Sequence, residues 1–395
     1  MNNKVKMVGI AFAGILTGVV VSEVVRGGFT TALRANDMLS EVSYEEKIGY
    51  IHELIQSEYI FEYDEKTLND SMVEGYVYGL GDPYSTYFTE DEYTKFMEST
   101  EGEYVGIGCV VTVDPDDRMI TIVSPFKNSP AEKAGIKAGD KVVSVDGLEV
   151  EGDDLDLAIS MMKGEENTDV VVGILSRETG EVKEVTITRQ TIEIITVEHE
   201  MLDNNIGYIE LTSFDEVTDE QFNEAYEDLI NQGAESLILD VRNNPGGLLD
   251  VVSNIADTLV PEGVIVSTED KKGNVEEIKS DAKQVDVPLV MLVNENSASA
   301  SEVLAGAVKD YGVGTLVGET TFGKGIVQRL YPIGDGTAIK LTISEYFTPS
   351  GYALHGKGIE PDVVVDVSDE DSANANYLEH DEDEQLQKAI EILSE

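Results

Sequence analysis

Cysteine and histidine are scarce in this chain of 395 residues, which contains one cysteine, Cys109, and four histidines. A single cysteine excludes an internal disulfide, and so few Cys and His side chains leave no constellation for zinc. Cys109 lies in an apolar run and is expected to be a core residue, because a nucleophilic thiol needs a neighbouring histidine. We therefore expect no metal and no cofactor.

Basic residues are also few, since 27 Lys and Arg stand against 78 Asp and Glu, giving a formal charge of −51. A chain this acidic repels nucleic acid and anionic lipid, so nucleic acid is excluded as a partner. The acidic residues do not form an Asp-x-Asp-x-Asp-Gly loop with its distant Glu, so calcium is not expected. We interpret the excess charge as a means of solubility.

A Ser-His-Asp site is disfavoured by the same shortage of histidine. His355 is the best placed of the four, but no Gly-x-Ser-x-Gly motif exists to pair with it. Ser-x-x-Lys occurs at residues 124–127 and 280–283, in a region of short strands and in a charged loop. Neither has apolar surroundings, so both are interpreted as coincidental.

The N-terminus carries an uncharged apolar run at residues 7–21, preceded by Lys4 and Lys6. This run has the length of a signal peptide and is shorter than the roughly 20 residues of a usual membrane span. No small-x-small cleavage site follows it directly. We expect residues 1–26 to form an uncleaved membrane anchor, or a signal that is removed, with the remaining chain outside the cytoplasm.

Residues 40–100 have apolar side chains at helical spacing and predict a helical arm. Residues 103–190 change to short strands with two short helices, and this unit resembles a PDZ domain in its motifs at residues 104–108, 129–136 and 139–147. The residues expected to bind a substrate tail are Tyr104, Val105, Gly106, Ile107 and Gly108. Glycines let backbone N–H groups turn toward a carboxylate, while the adjoining strand edge accepts a peptide. The alternative is that both glycines serve only a tight bend.

Residues 200–367 repeat a pattern of apolar strand, turn and amphipathic helix. Such repeats predict a largely parallel sheet, with active groups at the carboxyl ends of its strands. Three later strands, around residues 328–332, 338–346 and 363–367, are expected to extend that sheet. Residues 368–395 are predicted to form an acidic tail with a short amphipathic helix.

Three serines alternate with alanines where an apolar strand turns into a helix, at residues 297–301. A serine in the first helical turn lies beside free backbone N–H groups that stabilise an oxyanion. Lys324 stands between two glycines, and it can act as a base only if burial lowers its pKa from about 10.4 toward 7–8. The alternative is a capped helix and a surface lysine.

If residues 324–330 are extended, Gln328 projects from the same face as Lys324 and its amide oxygen can hold the amine. This pairing selects Ser299 as the nucleophile. Ser297 is then expected to cap the helix and Ser301 to be a packing residue.

The order of helical arm, PDZ-like unit and Ser–Lys core resembles the carboxyl-terminal processing proteases, also called tail-specific proteases. The specific motifs are residues 242–247, 294–302, 318–328, 348–351 and 358–362. The resemblance implies an α/β (multi-domain α+β) fold, with a crotonase-like (ClpP/crotonase) protease core, an inserted PDZ domain and a helical N-terminal arm.

The resemblance further implies Ser299 as nucleophile, Lys324 as general base and Gln328 as the residue that orients the lysine. It implies an oxyanion hole formed by the backbone N–H groups of Gly246 and Ala300. The expected partners are protein or peptide substrates with apolar C-termini, the membrane through the N-terminal segment, and a second copy of the chain in a homodimer.

One position departs from the family pattern: Lys163 stands where many relatives have arginine, which argues against arginine-based sensing of the substrate. Two other functions fit the sequence less well. A non-catalytic protein that captures C-termini would be expected to lack Ser299 or Lys324, and both are present. A crotonase-type acyl-CoA enzyme leaves the PDZ motifs and the exported N-terminus unexplained.

Overall fold

The computed structural model describes residues 43–281, 283–284, 287–378 and 380–394. The predicted anchor at residues 1–26 lies outside them. Among the described residues, every helix is too short or too polar to cross a membrane. The described residues divide between two compact units, with the boundary between Asn69 and Asp70.

The first helix, α1 (Tyr44–Glu58), begins with a reciprocal cap. The Ser43 hydroxyl accepts a hydrogen bond from the Glu46 N–H, and the Glu46 carboxylate accepts one from the Ser43 N–H. None of the side chains of α1 is buried, although Ile48, Ile51 and Leu54 are apolar. The next helix, α2 (Glu65–Tyr78), follows after a short loop. These helices confirm the helical pattern predicted for this part of the sequence.

The second unit continues with β1 (Thr86–Phe88) and α3 (Glu90–Glu101). α3 ends at Gly102, whose φ of 70° is a left-handed conformation that glycine adopts without strain. The region predicted as a helical arm therefore contains a strand. Its residues Thr, Tyr and Phe favour strands, which the helical spacing before them concealed.

The PDZ-like unit is built around one antiparallel sheet. Its elements are β2 (Glu103–Gly106), β3 (Cys109–Val113), β4 (Ile120–Pro125), α4 (Pro130–Lys133), β5 (Lys141–Val145), β6 (Leu148–Glu149), α5 (Leu155–Met162), β7 (Asp169–Leu175), β8 (Val182–Thr188) and β9 (Gln190–Glu193). The strand order is β3-β4-β5-β7-β8, with β6 on β5, whereas β2 pairs with β9 in a separate sheet. Residues 105–113 are apolar or glycine except for Thr112, a run that by itself predicts one strand. The structure divides it at Gly108, where φ is 75°.

The protease core and the segment after it contain two sheets and several helices. In chain order the elements are β10 (Val197–Leu202), β11 (Ile206–Leu211), α6 (Thr218–Gln232), β12 (Ser236–Asp240), α7 (Leu249–Leu259), β13 (Gly263–Asp270), β14 (Val275–Ser280), β15 (Leu289–Val293), α8 (Ala300–Tyr311), β16 (Thr315–Gly318), β17 (Ile326–Pro332), β18 (Ala338–Phe347), β19 (Val363–Val364), α9 (Asp369–Ala373) and α10 (Glu384–Ser394). The larger sheet has the order β10-β11-β12-β15-β16-β19, and all its pairings are parallel except β10 with β11.

Both faces of this sheet are covered. Alternate strand residues such as Leu239 and Met291 pack against α6, α7 and α8, whereas Ile238 and Val290 face α10. This alternation follows from the two-residue period of a strand. The largely parallel sheet predicted from the repeated strand–turn–helix pattern is confirmed.

A second, antiparallel sheet has the order β1-β18-β13-β14, with β17 also paired to β18. The prediction that the strands around residues 328–332 and 338–346 extend the parallel sheet is therefore wrong. Only β19 joins that sheet. The connection between β17 and β18 is too short for a parallel crossover, so the two strands pair as a hairpin and add to a different sheet.

Candidate active site

Ser299 stands between the buried strand β15 and helix α8, at the carboxyl edge of the parallel sheet. It precedes the first helical residue and has φ 56° and ψ −111°. A non-glycine residue at positive φ is strained, and such strain concentrates at functional sites. The structure therefore sets Ser299 apart from the other two serines by its backbone conformation.

The two neighbouring serines have structural hydrogen bonds. The Ser297 hydroxyl accepts from the Asn294 N–H and donates to the carbonyl of Val241, at 2.9 and 2.8 Å. Ser297 is therefore not the helix cap that the sequence predicted; it fastens the loop before the helix, because the helix begins at Ala300, three residues later, and Ser299 is its N-cap. The Ser301 hydroxyl donates to the carbonyl of Asn244 at 2.9 Å and is fully buried.

Glu302 connects the serine loop to the lysine loop, and sequence reasoning did not assign it a role. Its carboxylate is fully buried. One oxygen, Oε2, accepts from the backbone N–H groups of Ser299 (2.9 Å) and Lys324 (2.7 Å). The other, Oε1, accepts from the Thr321 hydroxyl (2.6 Å) and the Gly323 N–H (2.7 Å). The only signal in the sequence was its place three residues after the strained serine, typical of a capping pair.

Tyr346 on β18 provides a second connection. Its buried hydroxyl donates to the carbonyl of Ser299 at 2.8 Å and is also within hydrogen-bonding distance of the carbonyl of Lys324. Glu302 and Tyr346 together bind the N–H and C=O groups of both residues. The backbones of Ser299 and Lys324 are therefore fixed to each other on two sides.

Lys324 is half-buried and its ammonium lies 5.1 Å from the ring centre of Tyr84. Burial lowers the pKa of Lys324 and is the largest effect on it. The charge of Lys340 lowers this pKa further, while the Glu302 carboxylate opposes the shift. The direction is the one that a lysine base requires.

Among the described residues, no hydrogen bond joins the Gln328 side chain to Lys324. β17 begins only at Ile326, and the pairing with β18 shifts register between Val327 and Gln328. This irregularity breaks the strict alternation of faces on which the prediction depended. The Gln328 side-chain amide instead donates to the carbonyl of Ile326 at 3.3 Å.

The two predicted oxyanion donors lie side by side. A Cβ on Gly246 would be 2.8 Å from the Cβ of Ser299 and 2.9 Å from the nitrogen of Ala300, and φ at Gly246 is 102°. Only glycine permits this approach. The Ala300 N–H opens helix α8 and has no intrahelical acceptor. The Gly246 N–H donates to the side-chain oxygen of Asn244 at 2.8 Å.

The loop that carries Gly246 rests on the C-terminal segment. The Arg242 guanidinium is almost fully buried and forms ion pairs with Asp240 and Asp383, at 2.6 and 2.7 Å. It also donates to the side chain of Gln385. The sequence predicted an acidic tail with a short helix here, but not this contact, because no local pattern shows that a distant carboxylate will neutralise an arginine.

Asn243 extends the same contact. Its amide donates to Asn376 at 2.7 Å and to the carbonyl of Ser372 at 3.2 Å. The Asn294 amide also donates to the Ser372 carbonyl, while its oxygen accepts from the Asn243 N–H. The C-terminal segment thus holds both the Gly246 loop and the loop that leads to Ser299.

Three of the five predicted tail-binding residues, Tyr104, Ile107 and Gly108, line a groove between β3 and α5, whereas Val105 and Gly106 are not among its lining residues. The lining residues are Tyr104, Ile107, Gly108, Cys109, Val111, Ile159, Met162 and Lys163. A Cβ on Gly108 would approach the Cβ of Ser129 to 2.6 Å, so the position requires glycine. Lys163 forms an ion pair with Glu98 and lies 4.8 Å above the ring centre of Tyr104.

Cys109 is not activated as a nucleophile. Burial raises its pKa to about 11, so the thiol stays protonated at neutral pH. Within the part of the chain that the structure describes, no cluster of His, Cys, Asp or Glu has the geometry of a metal site.

Comparison with known proteins agrees with this architecture. Three family models match: peptidase family S41 over residues 205–365, the PDZ domain over residues 121–176, and the activating protease CtpB N-terminal domain over residues 26–92. The structure resembles that of a Bacteroides fragilis NCTC 9343 protein assigned to the S41 proteases, with a TM-score of 0.51 and 16% identity, covering 86% of this chain and 92% of that chain. At this identity the structural similarity supports the fold alone.

Two curated relatives are similar over most of the chain. Carboxy-terminal processing protease CtpA of Bacillus subtilis (strain 168) is 38% identical over 338 residues, which cover 85% of this chain and 72% of that protein. A CtpA-like serine protease of Staphylococcus aureus (strain COL) is 36% identical over 334 residues, covering 83% of this chain and 66% of that protein. The chain therefore belongs to peptidase family S41, as a serine protease of the carboxy-terminal processing type with a PDZ domain.

Proposed function

We propose that this protease cleaves exported proteins near or from their C-terminus with a Ser–Lys dyad, in which Ser299 is the nucleophile and Lys324 the general base. The observation that carries the proposal is the Glu302 carboxylate, one oxygen of which accepts the backbone N–H groups of both residues. This contact keeps the two loops together independently of substrate. The strained backbone of Ser299 and the lowered pKa of Lys324 support the same assignment.

The reaction proceeds by acyl transfer. The neutral Lys324 amine takes the hydroxyl proton as the Ser299 oxygen attacks the substrate carbonyl. The resulting ammonium gives the proton to the leaving amine, and the amine then activates a water that releases the acyl group. Gln328 is proposed to orient the lysine once substrate is bound.

The oxyanion of the tetrahedral intermediate is stabilised by the N–H groups of Ala300 and Gly246. The Ala300 N–H also benefits from the positive end of the α8 dipole. To bind the oxyanion, the Gly246 N–H must turn away from the Asn244 side-chain oxygen, its present acceptor, or donate to that oxygen and to the oxyanion at once. A small movement of this loop therefore accompanies catalysis.

The PDZ groove is proposed to hold the substrate tail and to gate access to the dyad. Apolar side chains such as Ile107 and Met162 favour an apolar tail, and the backbone from Gly106 to Gly108 receives its carboxylate. Lys163 adds a positive charge to this end of the groove. Because Lys163 pairs with Glu98, the C-terminal carboxylate of a substrate competes with the Glu98 carboxylate for the Lys163 ammonium.

Export, anchoring and association complete the proposal. The apolar run at residues 7–21 supports attachment to the membrane with the protease outside the cytoplasm. The exposed apolar residues of α1, which include Ile51 and Leu54, support a homodimer through the helical arm.

The test uses the full-length chain in detergent and an unstructured protein with an apolar tail, with products identified by mass spectrometry. Cleavage is expected for the natural chain and for Lys283→Ala, a control that removes an exposed lysine. Ser299→Ala and Lys324→Ala are expected to abolish it. Activity that persists in either variant would overturn the dyad, and tail binding without cleavage by the natural chain would favour a capture protein.

A further inference from the structure

Two lysines of the core lack acidic partners although the chain carries 78 acidic residues. Other lysines, such as Lys141 and Lys163, pair with carboxylates. Among the described residues, neither Lys324 nor Lys340 has a carboxylate within ion-pair distance; both instead lie over aromatic rings. Glu302 is the carboxylate near Lys324, but its two oxygens already accept four hydrogen bonds.

Both ammonium groups lie against one short segment around β1. Tyr84 lies under Lys324, with the Nζ 5.1 Å from its ring centre. The Nζ of Lys340 lies 5.3 Å from the ring centre of Phe88 and 5.1 Å from that of Phe96, and these two rings are stacked. The backbone of Lys340 pairs with Thr86, midway between Tyr84 and Phe88. The segment therefore brings both lysines to one half-buried aromatic wall.

We propose that Lys340 is a positioning residue for catalysis, whose charge keeps the amine of Lys324 neutral and able to accept the serine proton. The proposal rests on the assignment of Lys324 as the base. Two like charges that share a poorly solvated wall repel each other, so one of them loses its proton more easily. Lys340 keeps the charge because two aromatic faces stabilise its ammonium, whereas Lys324 has one.

The electrostatics of the site support this division. Burial lowers the pKa of both lysines, and Lys340 is the charged group that lowers the pKa of Lys324 further. Glu302 acts in the opposite direction. The other ionisable groups on the elements packed around the pair are Asp82, Tyr84, Tyr87, Glu90, Asp91, Glu92, Tyr93, Lys95, Glu98, Glu101, Arg329, Tyr331, Glu345, Tyr346 and His355.

The test measures the pH dependence of kcat/KM in the full-length enzyme. Lys340→Met is expected to move the acid limb to higher pH and to lower kcat/KM on that limb by roughly threefold or more, with the plateau at high pH retained. Lys340→Arg keeps the positive charge, so its acid limb of kcat/KM is expected at the same pH as in the natural enzyme. Lys283→Met removes an exposed lysine and is the matched control.

A second measurement does not depend on activity. Competitive acetylation of Lys324 across pH, read by mass spectrometry in the Ser299→Ala background, reports when this amine loses its proton. Acetylation of Lys324 is expected to need a higher pH in Lys340→Met, or in Lys340→Gln if the methionine variant does not fold. An unchanged labelling curve and an unchanged acid limb overturn the role of Lys340 while leaving the dyad intact. Activity in Lys324→Ala overturns the dyad itself.

Discussion

Arg242 and Asp383 form a buried ion pair, with 2.7 Å between guanidinium nitrogen and carboxylate oxygen, although 141 residues separate them in sequence. Arg242 begins the loop that carries Gly246, and Asp383 precedes the last helix. The C-terminal segment is therefore part of the support of the active site. A buried charge that loses its partner is costly, commonly about 3–5 kcal/mol.

Asp383→Ala is accordingly expected to lower the free energy of unfolding by about 3 kcal/mol and to reduce kcat, since the Gly246 loop loses its support. Urea unfolding and peptide cleavage measure the two effects. Glu384→Ala, which removes the exposed neighbouring carboxylate, is the control. Equal behaviour of the two variants would show that the ion pair has no such role.

Glu302→Gln tests the connection between the two loops. A glutamine offers one acceptor oxygen where the carboxylate offers two, so at least one pair of N–H or O–H donors is left unsatisfied. We expect a loss of about 2 kcal/mol in stability and a fall in kcat of roughly a hundredfold, with KM little changed. Glu295→Gln, at an exposed position in the loop before α8, serves as the comparison. A normal kcat in Glu302→Gln contradicts the prediction.

The strain at Ser299 has a measurable effect on stability. Glycine adopts positive φ readily, whereas alanine does not. Both Ser299→Gly and Ser299→Ala are expected to be inactive, but the glycine variant is expected to be more stable than the alanine variant by about 1 kcal/mol. Thermal unfolding of the two inactive proteins gives the comparison. Greater stability of the alanine variant would mean that the conformation is not strained.

Activity is expected to rise with pH through the lowered pKa of Lys324, because the neutral amine is the active form. The sign for stability follows. A lysine whose pKa is lower in the folded state binds protons more readily when unfolded, so its burial destabilises the fold at low pH and this cost disappears as pH rises. A profile of kcat/KM that is flat between pH 6 and about 9 contradicts a lysine base.

Gly108→Ala tests the PDZ groove separately from the chemistry. The added Cβ approaches Ser129 and Ile192 to less than 3 Å, and φ at this position is 75°. We expect a several-fold higher KM for substrates with apolar tails and an unchanged rate on a short peptide that lacks the tail. Gly147→Ala, a turn glycine with φ 79° and open space around it, shares the backbone strain without the clash.

The sequence predicted the parallel sheet and the setting of Ser299 because both depend on local periodicity. It did not predict the role of Glu302, since four donors converge on this carboxylate from two loops. It also did not show the irregular pairing of β17 with β18 at Gln328, because such a pairing leaves no trace in residue types. The prediction that Ser297 caps the helix is wrong because spacing alone does not show that the helix begins at Ala300.

Glu302 also affects how the enzyme can be controlled. Because one carboxylate fastens both loops, moving the lysine loop leaves the buried Glu302 carboxylate without three of its four hydrogen-bond donors, those from Thr321, Gly323 and Lys324. A conformation that separates the two loops therefore holds a buried carboxylate that has lost most of its partners, which makes that conformation costly. A regulator that displaces either loop needs no contact with the reacting atoms to turn proteolysis off completely.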